Sequence, residues 1–153
     1  MADNMDRTTF IKKVIGLFIK ANRMHREAFA YNAASFGLHR SQHKMIMHLH
    51  GKEGGLSQKE LAKYMDVSPA AITVMINKLV AGGFVKRSPY ADDSRVNLIL
   101  LTEKGEDVAV KSRAFFDSVD STMLEGFSDE EIATLYGFFE RMQKNMAEAV
   151  EKR

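Results

Sequence analysis

Cysteine is absent from the 153 residues, and with it go disulfides, thiolate zinc sites, a cysteine nucleophile and any thiol-based redox switch. Proline occurs only twice, while 45% of the residues are apolar and 27% charged, the balance of a helix-rich globular chain and not of a disordered one. There is no long hydrophobic run. The longest aliphatic stretch, Leu98-Ile99-Leu100-Leu101, falls far short of the roughly 18 residues a membrane helix needs, and the charged opening MADNMDR has no signal-peptide core. A cytoplasmic protein without a membrane partner is expected. GxSxG, GxGxxG, a Walker loop and HExxH are also missing, and the glycines sit at helix ends and turns, so nothing points to an enzyme or a cofactor.

What is present is unevenly distributed. Residues 1–101 hold 15 Lys/Arg against 8 Asp/Glu, net +7, and residues 102–153 hold 7 against 12, net −5. One surface for a polyanion and another for something else would produce such a split. The length allows one core plus helical extensions.

Phe10, Val14, Leu17, Phe18, Ala21 and Met24 recur at helical spacing, which predicts one amphipathic helix over the first 30 or so residues. A second helix is expected from after Ser41 to the glycines at 51–55, with Met45, Ile46 and Leu49 inward. Ser57-Gln58-Lys59-Glu60 fits a capping box and opens a short helix to about Met65. Asp66 and Val67 turn the chain, and Ser68-Pro69 opens another helix, with serine as N-cap and proline where its missing donor costs nothing. Two capped helices joined this closely read as a helix-turn-helix. After Gly82-Gly83 the period becomes alternating. Phe84 to Arg87 and Arg95 to Leu101 are expected to pair as a wing around the loop 88–94. Thr102 then caps a long helix carrying Val108, Phe115, Val119 and Met123, and Ser128 to Glu131 forms a second capping box before a last helix. The fold class is mainly α with a small β wing.

In the helix after Ser68, residues Ile72, Met75, Ile76, Leu79 and Val80 form a core stripe. Ala70, Val74, Asn77 and Ala81 fall opposite, flanked by Thr73 and Lys78, so the outer face is small, weakly polar and almost free of acid. A major groove accepts such a face: Ala70 and Ala71 let the backbone approach, Asn77 can pair bidentately with adenine, Thr73 can donate or accept, and Val74 can pack on a thymine methyl. Ser68 and the free amides of the first turn suit a phosphate. In the wing, Lys86 and Arg87 precede the loop, while Asp93, Ser94 and Arg95 follow it. An arginine there can enter a narrow minor groove with Asp93 orienting it; ordinary turn chemistry is the competing account.

The run SQKELAKYMDVSPAAITVMINKLVAGGFVKRSPYADDSRVNLILLTEKG closely resembles the winged-helix core of the MarR (multiple antibiotic resistance regulator) family, and the resemblance extends over nearly the whole chain. It implies a single domain over 1–153, with dimerisation helices at 1–35 and 103–150 around a DNA-binding lobe at 39–101. It implies duplex DNA and a second copy of the chain as partners and, through the two-fold axis, a pseudo-palindromic operator; a dimer seated on a promoter obstructs polymerase, so repression is the default expectation. Arg95 then matches the minor-groove arginine and Asp93 its orienting acid. Ser68, Ala70, Ala71, Thr73, Val74, Asn77 and Lys78 take the DNA-facing positions. Many members carry a long polar residue where Val74 stands, which argues against direct reading of guanine there.

The resemblance further implies a small aromatic effector held between the dimer helices and the DNA-binding lobe, and the histidines admit an anionic one. Four of the five histidines, His39, His43, His48 and His50, lie within 12 residues, and His43, Met47 and His50 share a helix face as candidate effector-binding groups. With no cysteine or acid among them, they are read as pocket-lining or solvated and not as a metal site. A winged-helix module used only for protein contact is the alternative function. It would have no need of Lys78, Lys86, Arg87 and Arg95.

Overall fold

The computed structural model describes the backbone of residues 6–90 and 93–151 and the side chains of 6–89 and 97–151. It is mainly helical with one small antiparallel sheet. In chain order the elements are α1 (Arg7–Ser35), α2 (Arg40–Leu49), β1 (Leu56–Ser57), α3 (Gln58–Met65), α4 (Pro69–Ala81), β2 (Val85–Tyr90), β3 (Asp93–Leu101), α5 (Glu103–Met123) and α6 (Asp129–Glu151). The chain falls into two compact units, Met1–Phe116 and Asp117–Arg153, so the division lies inside α5.

In the first unit the core is built from α2, α3, α4, the sheet and the start of α5. Met45, Ile46, Leu61, Ile72, Ile76, Leu79 and Ile99 are fully enclosed. Each contributes about 1.5–3 kcal/mol of transfer free energy. Val80, expected in the same stripe, is exposed because it sits at the edge of the arc centred on Ile72, Ile76 and Leu79. The sheet order is β1-β3-β2, with Leu56 opposite Ile99 and Arg87 opposite Ile99 from the other side.

Three expectations need correcting. The wing strands are longer than their apolar pattern, because Ser88, Pro89 and Tyr90 pair with β3 despite their turn-like composition. β2 is an edge strand, where a proline removes no ladder bond that a neighbour needs, and the register shifts at Pro89/Tyr90. A third strand, β1, appears without an alternating pattern of its own. α2 begins at Arg40, earlier than its sequence signals, because His39 acts as N-cap: its Nδ1 accepts from Ser41 N, and Gln42 Oε1 accepts from His39 N at 2.9 Å.

α1 is capped by Asp6, whose carboxylate accepts from Thr8 and Thr9 N at 3.1 Å and is thereby held below the usual carboxylate range. Of its 29 residues only Asn32 and Ala33 are buried. In the second unit, Ser128 and Glu131 complete the expected capping box, with Glu131 Oε2 accepting from Ser128 N at 2.8 Å and Ser128 Oγ from Glu131 N at 3.2 Å. α6 has no buried residue. No helix among the described residues is long and apolar enough to cross a membrane.

Candidate nucleic-acid interface

The helix-turn-helix is set by local chemistry. Ser57 Oγ accepts from Glu60 N, and Glu60 Oε2 accepts from Ser57 N at 2.8 Å and from its hydroxyl at 2.7 Å. Those bonds from Ser57 hold the Glu60 carboxyl below its usual range. α3 ends at Asp66 in the left-handed conformation (φ 53°), and Val67 N returns to Ala62 O. Ser68 Oγ then accepts from Ala71 N at 3.2 Å and Pro69 takes the first helical position.

One side-chain bond, which residue type alone does not announce, fixes α3 against α4. Gln58 Nε2 donates to Thr73 Oγ1, and Thr73 Oγ1 donates to Pro69 O at 2.7 Å. Thr73 is half-buried, and its hydroxyl proton is committed to the backbone. Ser68, Ala70, Ala71, Val74, Asn77 and Lys78 are exposed together on the outer face.

The far end of α4 is held from α5. Lys104 Nζ donates to Gly82 O at 2.7 Å and lies 4.1 Å from the centre of the Phe84 ring, and Thr102 Oγ1 donates to Gly83 O at 2.6 Å. An ammonium on the last carbonyls of a helix also opposes its negative dipole end. Gly105 completes the junction, since a Cβ there would run into the Phe84 carbonyl. Neither Lys104 nor Gly105 was singled out from sequence, although both lie in the LTEKG segment.

Lys86 and Arg87 are exposed on β2. Arg87 Nη2 donates to Asn77 Oδ1 at 2.7 Å, joining the wing to α4. The backbone of Asp93, Ser94 and Arg95 belongs to β3, and their side chains lie outside the described residues.

A second feature of the first unit is a cleft of about 950 Å³ between α1, α2, α3, α4 and α5. His43 and Met47 line it; His50 does not. His43 is 4% exposed, its Nε2 is 2.7 Å from Ser112 Oγ, and the Phe116 ring meets it edge-on. Burial pushes its pKa down. Phe29 stacks on Phe116 with centroids 3.8 Å apart, and Arg26, Arg40 and Lys44 line the same cleft. His48, also lining it, stacks on Tyr64, and burial followed by the charges of Lys52 and Lys44 lowers its pKa. His50 is the C-cap of α2, past the helical backbone, and its Nδ1 is 2.7 Å from Glu106 Oε2 of α5. No group of three or more potential metal ligands occurs among the described residues.

The family model described as "MarR family" matches residues 36–95. The HTH-type transcriptional repressor YetL of Bacillus subtilis (strain 168) is 32% identical over 133 residues, which cover 84% of this chain and 79% of YetL. The HTH-type transcriptional regulator BilQ of Clostridium symbiosum (strain WAL-14163) is 30% identical over 94 residues, 61% of this chain, and this chain spans 65% of its length. Among solved structures, the S. aureus MepR-DNA complex superposes with a TM-score of 0.73 at 20% identity, covering 85% of this chain and 97% of that one. That likeness is one of fold.

Proposed function

The chain belongs to the MarR family, and on that premise we propose that it is a homodimeric, sequence-specific regulator of transcription that reads duplex DNA with α4 and the wing. The carrying observation is the outer face of α4. Ala70, Ala71, Val74, Asn77 and Lys78 are exposed there without an acid among them, and Val74 is 56% exposed although apolar. Such a face brings the helix backbone close to base edges and offers methyl groups to thymine. Ser68 accepts from Ala71 N, which leaves its hydroxyl proton for a phosphate, and Lys78 and Lys86 supply sequence-independent phosphate contacts. Arg95 is assigned to the minor groove, with Asp93 and Ser94 shaping its loop.

The partner across the two-fold axis is a second copy. α1 leaves Phe10, Val14 and Leu17 exposed, and α6 leaves Tyr136, Phe138 and Met146 exposed, large apolar side chains of the kind an interface covers. Their charges are complementary: α1 holds six Lys/Arg and one Glu, whereas α6 holds six Asp/Glu and two Lys/Arg. The cleft around His43 and Met47 is the effector site, its stacked rings and three cations suited to a small aromatic or anionic molecule. The regulator acts in the bacterial cytoplasm, by occluding its promoter, and catalyses no reaction.

Competitive selection from random duplexes tests the reading. The expected product is a site of two-fold symmetry with half-sites about 34–36 Å apart. Failure to enrich any duplex overturns DNA recognition in favour of a module for protein contact.

A further inference from the structure

Asn77 has the side chain expected of an adenine reader, yet its amide oxygen is engaged elsewhere. Arg87 of β2 donates to Asn77 Oδ1 at 2.7 Å, although both residues are exposed. Bidentate pairing with adenine requires the amide oxygen to accept from N6 while the amide nitrogen donates to N7, both facing the base edge together. An oxygen turned back to the wing removes that arrangement.

We propose that Asn77 is a positioning residue for Arg87, and that Arg87 is a phosphate clamp at the junction of recognition helix and wing. The inference rests on the DNA-binding reading above. A helix in the major groove and a hairpin tip in the neighbouring minor groove would straddle one sugar-phosphate strand, which would bring that strand to the junction of α4 and β2. The guanidinium held there by Asn77 faces the phosphates with its remaining N–H groups, in the fork geometry suited to phosphate oxygens. β2 carries Arg87 opposite Ile99, whose side chain is enclosed in the core, so the arginine is anchored at its backbone as well as at its tip. The same tether makes the orientation of α4 and that of the wing one variable. Base preference then resides in the residues left on the outer face, Val74 and the alanines among them.

The test uses the full-length protein and the duplex selected for it, beside an unrelated duplex of equal length. Arg87→Ala should weaken both by a similar factor, about tenfold, and lower the slope of log affinity against log salt by about two per dimer, one phosphate contact per subunit. Asn77→Ala should act in the same direction but less, relax no single base pair, and add nothing in an Arg87→Ala background. Asn77→Asp is decisive, because it keeps the oxygen acceptor for Arg87 but cannot donate to adenine N7. Its selected sequence should match that of the parent. If Asn77→Asp or Asn77→Ala instead loses preference at one A·T pair while Arg87→Ala keeps it, Asn77 reads the base and the proposal is overturned. A parent that enriches no duplex overturns the regulator reading and this one with it. A parent with a defined site, and an Asn77→Ala effect that persists undiminished without Arg87, overturns this one alone. Thermal melting of each variant within a few degrees of the parent is expected, as both side chains are exposed.

Discussion

At the scale of single residues, His43 is a titratable side chain held almost wholly out of water. It is enclosed by Phe36, Phe116 and Ser112, and burial disfavours its charged form. The folded pKa therefore lies below the unfolded one, near 6.5. Above that value both states hold a neutral ring, and this group adds no pH dependence to stability. As pH falls through it, the unfolded chain takes up a proton that the folded chain refuses, so stability is lost until the folded ring titrates. His48 adds a change of the same sign. Urea unfolding at pH 7.5 and 5.5 should show the parent less stable at 5.5. Replacing His43 and its partner together, His43→Phe with Ser112→Ala, should shrink that difference, and an unchanged difference would exclude His43 as its source. The pair was hidden from sequence inspection for a definite reason. Val108, Ser112 and Phe116 form one i, i+4 stripe whose middle member is polar, so the periodicity favoured Phe115, which is only half-buried, over the buried Phe116.

Among the elements, those governed by near neighbours were mostly readable, the His39 cap of α2 being the exception, and those governed by distant ones were not. The caps at Ser57, Ser68 and Ser128 involve partners three residues away, and each bond falls where the residue types require it. β1, the tail of β2, the Gln58–Thr73 bond and the Asn77–Arg87 bond join segments whose proximity follows from the finished fold, and residue type announces none of them. On the outer face of α4, exposure was legible from helical phase, but the engagement of Thr73 and Asn77 was not. The LTEKG segment is an intermediate case, its motif visible and its contacts not. Gly105→Ala should test the closeness of α5 to Phe84: the added methyl meets a backbone carbonyl that cannot swing aside, so a loss of about 1–3 kcal/mol is expected in chemical denaturation. A variant as stable as the parent would mean that the helix start yields without cost.

For the whole molecule, the balance of buried and exposed apolar residues matters more than any one bond. The first unit encloses a continuous core, but the first three turns of α1 and nearly all of α6 keep their large side chains in water. Leu17 is 68% exposed, and on a monomer an exposed substitution changes stability by no more than about 0.5 kcal/mol. If a second copy covers α1, Leu17→Asp places a charge in a dry seam, and sedimentation at micromolar concentration should show the dimer giving way to monomer, with DNA affinity falling as the two half-sites are no longer bridged. Unchanged sedimentation would move the dimer contact elsewhere.

Ser57 belongs to two structures at once, as the strand partner of Leu98 and as the cap of α3. The pairing closes a loop of about 40 residues, and ordering that loop carries an entropic cost that local helix formation does not repay. α3 and α4 can therefore nucleate early from their own caps, but their final docking waits for the hairpin to arrive. Once formed, the hairpin and the helix-turn-helix share a boundary residue, and amide hydrogen exchange is expected to show them opening together.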